Sequence, residues 1–313
     1  MFNILLLGGT GFIGKNIIES FQNEVDYNLI IVSRNTELID KSFFLGKNAE
    51  IILGSIKDSN FIEKIILDYK VNVVFHLVSS LIPASSQTDF YNSLDDVIVP
   101  TFKLIDFIAT RDIKLIFFSS GGTIYGNSIG LIEEDTNLSP INNYGYSKLI
   151  IENYIRYKSN ISLLDYIILR PSNVYGKYQS FDGNQGFISV AINKIQNDQI
   201  ITIWGTGKVI RDYIHVDDLT AVLKKILSNS ICNNSFNLST GIGFSLLDII
   251  KIIENNLNKK AVLSFDCERI VDANSVILDN SKILKIIDHD FINIEEGIKS
   301  QINHFNTTFY NAI

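Results

Sequence analysis

Short apolar runs alternate with longer stretches of helical period along this chain. The runs at Asn3–Leu7, Leu29–Val32, Ile51–Leu53, Val73–Leu77, Lys114–Ser119, Tyr166–Leu169 and Phe236–Leu238 carry few polar interruptions. Strands buried on both faces of a parallel sheet read this way. Helical period between them predicts helices near residues 12–22, 58–69, 93–110, 144–158 and 217–228. Strand and helix in alternation predict an α/β fold, a doubly wound parallel sheet of about seven strands. After Arg170 the alternation breaks, and residues 171–211 and 241–313 carry more glycine turns and mixed patterns. They are expected to form a smaller C-terminal substrate domain, interleaved with the last sheet elements. The sheet domain is then expected over 1–170 plus about 212–240. No internal repeat, linker or low-complexity tract is visible.

Composition narrows this picture. With 313 residues, 46% hydrophobic and 19% charged, the chain can bury an ordinary core. A formal net charge of -7 argues against nucleic-acid or anionic-membrane partners. Cys232 and Cys267 show no paired spacing, which predicts a reducing compartment and no disulfide framework. No apolar run reaches the roughly 18 residues of a membrane span. Met1-Phe2-Asn3 opens a first strand and not a signal peptide, so the cytoplasm is expected.

The run Gly8-Gly9-Thr10-Gly11-Phe12-Ile13-Gly14 follows the first strand and opens the first helix. One glycine permits the tight turn, a second lets backbone approach a pyrophosphate, and a third lets helix and strand pack closely. The helix N-terminus offers unpaired N–H groups and a positive dipole end to the anion. The position predicts NAD or NADP binding; a plain turn is the alternative. The second strand ends Ser33-Arg34-Asn35, without the acid that would hold a ribose hydroxyl of NAD. Arg34 suits the 2′-phosphate of NADP, so NADP is favoured over NAD. A solvated loop arginine, or one stacked on adenine, are the other readings. Ser55 and Ile56 follow the third strand, where the adenine edge would sit, and Asp58 reads equally well as a helix cap.

Tyr144 and Lys148 are four apart on a predicted helix and share a face. Upstream, Ser119-Ser120-Gly121-Gly122-Thr123 follows the fifth strand at its carboxyl end, where open α/β sheets bind ligands. A free tyrosine has a pKa of about 10. A nearby ammonium and a positive nicotinamide ring favour the phenolate. Tyr144 could then exchange the proton of a sugar hydroxyl while hydride moves to or from the ring.

The motifs GGTGFIG at 8–14, HLVSS at 76–80, SSGGTIYG at 119–126, YGYSK at 144–148, RPSNVYG at 170–176 and RDYIHVDDL at 211–219 follow in order. Over nearly the whole chain the sequence resembles the extended short-chain dehydrogenases/reductases, in their nucleotide-sugar epimerase/dehydratase branch. The resemblance implies a Rossmann sheet and a Tyr144–Lys148 pair, with Lys148 also holding the nicotinamide ribose. It also implies an assisting hydroxyl, and a cofactor wall that takes in Leu77, Val78 and Pro171. The usual place of that hydroxyl is Gly121 here, so Ser120 or Thr123 must serve, with Ser120 favoured. The dehydratase Asp-Glu pair is missing at Gly121-Gly122-Thr123, which disfavours dehydration.

For the substrate, Asn173 and Arg211 resemble the family's diphosphate contacts, and Arg269 looks like a second such arginine. A turn role for Asn173, and ion pairs such as Arg211 with Asp217 or Asp218, are the structural alternatives. Trp204 fits a base-stacking aromatic or a core residue equally. Ser79, Ser80 and Gln185 can line the sugar. His76 and His215 read as structural, and no metal site is expected.

Three functions compete. The first is an NADPH-dependent reductase of a nucleotide-linked 4-keto-6-deoxyhexose, dTDP-linked by preference, making precursors of cell-surface polysaccharide. The second is an NAD-dependent 4-epimerase of a UDP-hexose, such as UDP-glucose or UDP-N-acetylglucosamine. The third, of another class, is a non-catalytic NAD(P)-binding regulator. By analogy with the family, the helices near 93–110 and 144–158 are candidates for a homodimer contact.

Overall fold

A computed structural model of the protein describes residues 2–35, 48–128, 130–183, 185–229, 231–267 and 275–309. Its first half alternates strand and helix: β1 (Phe2–Leu7), α1 (Phe12–Phe21), β2 (Tyr27–Ser33), β3 (Ala49–Leu53), α2 (Ser59–Asp68) and β4 (Val73–His76). Next come α3 (Gln87–Ser93), a π turn (Leu94–Ile98), α4 (Val99–Ile108), β5 (Lys114–Phe118), α5 (Gly121–Ile124) and β6 (Leu131–Ile132). Then α6 (Asn143–Ile161), β7 (Tyr166–Pro171), β8 (Asn173–Tyr175), α7 (Phe187–Gln196), β9 (Ile200–Trp204) and β10 (Ile210–His215) follow. The chain continues through α8 (Val216–Ser228), β11 (Asn234–Leu238), β12 (Gly243–Ser245), α9 (Leu246–Leu257), β13 (Val262–Asp266) and β14 (Ser275–Leu278). It closes with α10 (Ser281–Leu284) and α11 (Ile294–Phe309).

All seven expected strands join one sheet in the order β11-β7-β5-β4-β1-β2-β3. Each neighbouring pair in it runs parallel. The unbroken apolar runs are explained by burial on two sides. Leu5 and Leu7 of β1 pack under α2, α4 and α6, while Ile4 and Leu6 pack under α1 and α8. Strand order reverses between β1 and β4, and the crevice outside their carboxyl ends is where such sheets bind ligands.

The expected helix near 93–110 starts earlier, at Gln87, and is not continuous. Ser86 opens it with a capping box, exchanging hydrogen bonds with Asp89. Pro100 has no N–H to give to the carbonyl one turn back, and just ahead of it the helix widens into the π turn, where the Val99 N–H reaches the Leu94 carbonyl.

The later elements lie beside the carboxyl end of the main sheet. β8 and β14 run parallel to β10, β12 antiparallel, and β13 pairs with β9. Helices α7, α9 and α11 share a separate core around Ile192, Ile203, Ile253 and Ile298. Because β8 leaves directly from β7 and pairs with β10, the carboxyl end of β7 is tied to this second layer.

Candidate active site

The glycine turn has the shape that its spacing predicts. Gly8 has φ +91°, a left-handed value that a side chain would strain. A Cβ at Gly14 would lie 2.5 Å from the Gly8 carbonyl oxygen and 2.5 Å from the Gly9 Cα, so only glycine lets α1 close on the turn. At Gly11 the nearest such atom is 3.5 Å away, which leaves its surface open. Gly11 is also the N-cap of α1; it supplies no side chain to the first N–H groups, and no acid stands in that turn. An open, uncapped helix start with space above it fits a pyrophosphate.

Two cavities meet at this turn, with Gly8, Gly11, Leu77 and Ser79 in both walls. The larger, about 570 Å³, is lined by Phe12, Ile13, Gly14, Ser120, Thr123, Tyr144, Lys148 and Pro171. Asn173, Gln185, Trp204 and Arg211 line it as well. The smaller, about 280 Å³, takes in Thr10, Arg34, Ser55, Ile56, Val78 and Ser80. The candidate residues thus converge on one connected space, except Arg269, which lies outside the described residues.

Tyr144 and Lys148 are placed by the start of α6. Asn142 caps it, accepting from the Gly145 N–H at 2.8 Å. A Cβ at Gly145 would lie 2.7 Å from the Thr123 carbonyl oxygen, so this glycine lets α6 seat against α5. The Thr123 hydroxyl donates to Ser120 Oγ at 3.0 Å. Burial pushes the Tyr144 phenol above its ordinary range, and the Ser120 hydroxyl works in the other direction. Lys148 is 3% exposed, and its Nζ donates to the Phe118 carbonyl oxygen at 2.9 Å. Burial brings it down to about 8, against the pull of Glu152.

Gly121 explains why the usual hydroxyl position is empty. A Cβ there would sit 2.2 Å from Leu278 Cδ1 and 2.9 Å from the Arg170 carbonyl oxygen. β14 and β7 fill that space. Behind Lys148, Glu152 takes two hydrogen bonds from Arg170, at 3.0 and 2.7 Å. Burial opposes the Glu152 charge, but Arg170, with Arg156, outweighs it and holds the carboxyl below its ordinary range. Arg170 also bonds Tyr125 and the Glu134 carbonyl, so this motif arginine is spent on structure.

The remaining candidates divide. Asn173 donates to the Asp212 carbonyl at 2.9 Å, which ties β8 to β10, and still lines the cavity. Arg211 donates to its neighbour's carbonyl at Ile210. Asp217 approaches His215, and Asp218 accepts from His289 and the Ile292 N–H. Asp58 caps α2 by accepting from the Phe61 N–H at 3.0 Å. His76 sits fully buried with its Nε2 at 2.8 Å from Thr101 Oγ1, and burial, then Lys148, hold it down to about 3. His215 caps α8. Both histidines serve structure here, and no group of metal-ligating side chains occurs among the described residues.

Several wall residues escaped the sequence. Gln179, Phe187, Tyr213 and Leu246 line the larger cavity, and Lys57 lines the smaller, held by Asp96 at 2.6 Å. Gln179 lies three residues beyond one quoted motif and Tyr213 inside another, a signal that was available; Phe187 and Leu246 open helices that the patterns did not reveal.

Comparison with known proteins agrees with this geometry. Residues 4–239 match the model of the NAD dependent epimerase/dehydratase family. A dTDP-4-dehydro-6-deoxyglucose reductase from Escherichia coli is 34% identical over 88% of each chain. A UDP-glucose 4-epimerase from Lactobacillus helveticus is 27% identical over 91% of this chain and 90% of its own. The crystal structure of Thermotoga maritima UDP-glucose 4-epimerase with UDP-glucose superposes with a TM-score of 0.89 at 27% identity. That match covers 98% of this chain and 99% of the other. The chain therefore belongs to the NAD dependent epimerase/dehydratase family, among the extended short-chain dehydrogenases/reductases.

Proposed function

We propose that this enzyme reduces a nucleotide-linked 4-keto-6-deoxyhexose, with dTDP the preferred carrier and NADPH the reductant, to supply cell-surface polysaccharide precursors. The observation that carries the reading is the joining of Tyr144, Ser120 and Lys148 to the glycine turn in one cavity. Gly8, Gly11 and Gly14 would hold the cofactor, with Lys148 at its ribose, and the bound cofactor would supply the hydride. Tyr144 gives the proton to the sugar oxygen, Ser120 orients the phenol and Thr123 orients Ser120. Lys148, pinned to the Phe118 carbonyl, keeps a positive charge beside the phenol as the proton leaves. Leu77, Val78 and Pro171 complete the nicotinamide wall, and Ser55 and Ile56 the adenine edge. Arg211, with Asn173 beside it and Arg269 as a further cation, is assigned to the diphosphate. Trp204 is assigned to the base, and Ser79 and Gln185 to the sugar.

NADPH is favoured because Arg34 is exposed on the wall of the smaller cavity, beside Ser55, at the end of a strand that offers no acid. The similarity to the E. coli reductase supports the same reaction. A UDP-hexose 4-epimerase is the second reading, favoured by the likeness to the T. maritima epimerase over nearly the whole chain. Both use Tyr144 and Lys148 alike. A regulator without catalysis would have no use for a proton donor tied to a buried lysine's cavity. Two free, exposed cysteines suit a reducing compartment, so we place the work in the cytoplasm.

The test mixes purified protein with NADPH and dTDP-4-keto-6-deoxyglucose. Net oxidation of NADPH that needs the sugar is expected, and Tyr144→Phe should remove it while still binding NADPH. Interconversion of UDP-glucose and UDP-galactose without net oxidation would replace the reductase by the epimerase. Absence of both activities would favour the regulator.

A further inference from the structure

Lys148 and Glu152 stand one turn apart on the buried face of α6. Each makes its own bonds. The Lys148 ammonium donates to the Phe118 carbonyl. The Glu152 carboxylate accepts from Arg170 and, at 2.7 Å, from Arg156. One buried carboxylate therefore serves three cations: two arginines that it bonds, and a lysine one turn away that it reaches through space.

The other ionisable groups around this cluster bring no second anion to Lys148. Tyr144, on the same helix, is a phenol pushed up by burial. His76, from β4, is held neutral at about 3. Tyr125, from α5, is pushed up to about 12 and bonds Arg170. Glu134, just after β6, gives its carboxylate to the Asn237 N–H. Burial works against the charge on Lys148, and Glu152 is the group that pulls it back toward the ammonium.

A buried cation without a counter-charge sheds its proton if it can. An arginine keeps its proton at every working pH. Without the Glu152 charge, Arg170, Arg156 and Lys148 would face one another, and Lys148 alone could relieve the repulsion by deprotonating. A neutral Lys148 would no longer favour the charged form of the phenol beside it.

We propose that Glu152 is a positioning residue for the proton transfer: its buried charge keeps Lys148 an ammonium beside Tyr144. The inference rests on the Tyr144–Lys148 reading of the site and adds what holds the lysine's charge there.

The test is the pH dependence of chemical unfolding, with each variant read against its own Lys148→Met partner so that the difference belongs to Lys148. The alkaline limb of kcat/KM is measured beside it. In the wild type the rise in stability with pH should begin at about 8. Glu152→Gln keeps the shape and removes the charge, so onset and limb should both move down by roughly one unit or more. Glu152→Asp, which restores a carboxylate, should bring both at least halfway back. Arg156→Gln removes a cation from Glu152 and should move both upward. Glu152→Gln that is less stable yet titrates like wild type overturns the proposal, since Glu152 would then serve Arg170 alone. If Glu152→Gln does not fold, Arg156→Gln decides, and an unmoved or lowered onset overturns the proposal. A wild type that neither reduces nor epimerises a sugar nucleotide overturns the reading of the site, while the unfolding profile still decides whether Glu152 holds the Lys148 charge.

Discussion

Lys148 lies one helical turn beyond Tyr144, with its Nζ 5.6 Å from the centre of the phenol ring. The same ammonium is anchored to the Phe118 carbonyl, so the charge cannot swing away from the tyrosine. Burial brings Lys148 from 10.5 down to about 8. A charged Lys148 is therefore lost as pH rises through about 8, and kcat/KM should fall there with the slope of one proton. Stability should move the other way. Between about 8 and 10.5 the unfolded chain holds a proton that the folded chain has released, so stability rises with pH in that window. Lys148→Met should abolish both trends, as pH profiles of rate and of chemical unfolding would show.

Arg34 stands exposed on the smaller cavity, near Lys57, whose own charge is taken by Asp96. A charge-assisted hydrogen bond is worth about 1.5–3 kcal/mol. Arg34→Ala should therefore weaken NADPH by roughly tenfold or more, by that same estimate, and change NADH little. Titrations with the two cofactors check this, and an equal loss for both removes the case for NADPH.

Glu152 and Arg170 form a buried ion pair, 0% and 1% exposed. Removing one partner of such a pair strands the other charge and costs about 3–5 kcal/mol. Glu152→Gln should lower the free energy of unfolding by that order. The double variant Glu152→Leu/Arg170→Met should recover part of the loss, although Tyr125 and the Glu134 carbonyl lose a donor. Denaturant titration measures both.

Gly121 cannot simply be given a hydroxyl side chain. Gly121→Ser would press on Leu278 and the Arg170 carbonyl. Overpacking of this kind costs about 1–3 kcal/mol. The variant should be less stable and no faster, while Ser120→Ala should slow turnover at unchanged stability. Steady-state rates and melting curves separate the two outcomes.

The sheet was legible because a strand buried on both faces needs apolar residues at every position, as in Ile4-Leu5-Leu6-Leu7. The glycine turn and the Tyr144–Lys148 spacing were legible because backbone geometry enforces them locally. The helix from Gln87 was hidden by its polar start, Gln87-Thr88-Asp89, and by the change of period at the π turn. α9 and α11 were hidden for another reason: they pack on a second small core, so their pattern follows partners far along the chain. The reason for Gly121 was unreadable in principle, since it lies in Leu278, a residue of β14 distant in sequence. Arg170 stands inside a quoted motif, yet its guanidinium holds Glu152, a partner the motif itself does not reveal.

The account stands on hydride delivery to a sugar carbon next to Tyr144. The most direct measurement supplies NADPH deuterated on the transferable position of the nicotinamide ring, together with dTDP-4-keto-6-deoxyglucose, and locates the label in the product. The account predicts one deuterium on the reduced sugar carbon per NADPH consumed, and no product from Tyr144→Phe. A reduced sugar without deuterium, or NADPH left unconsumed while UDP-glucose is epimerised, would contradict it.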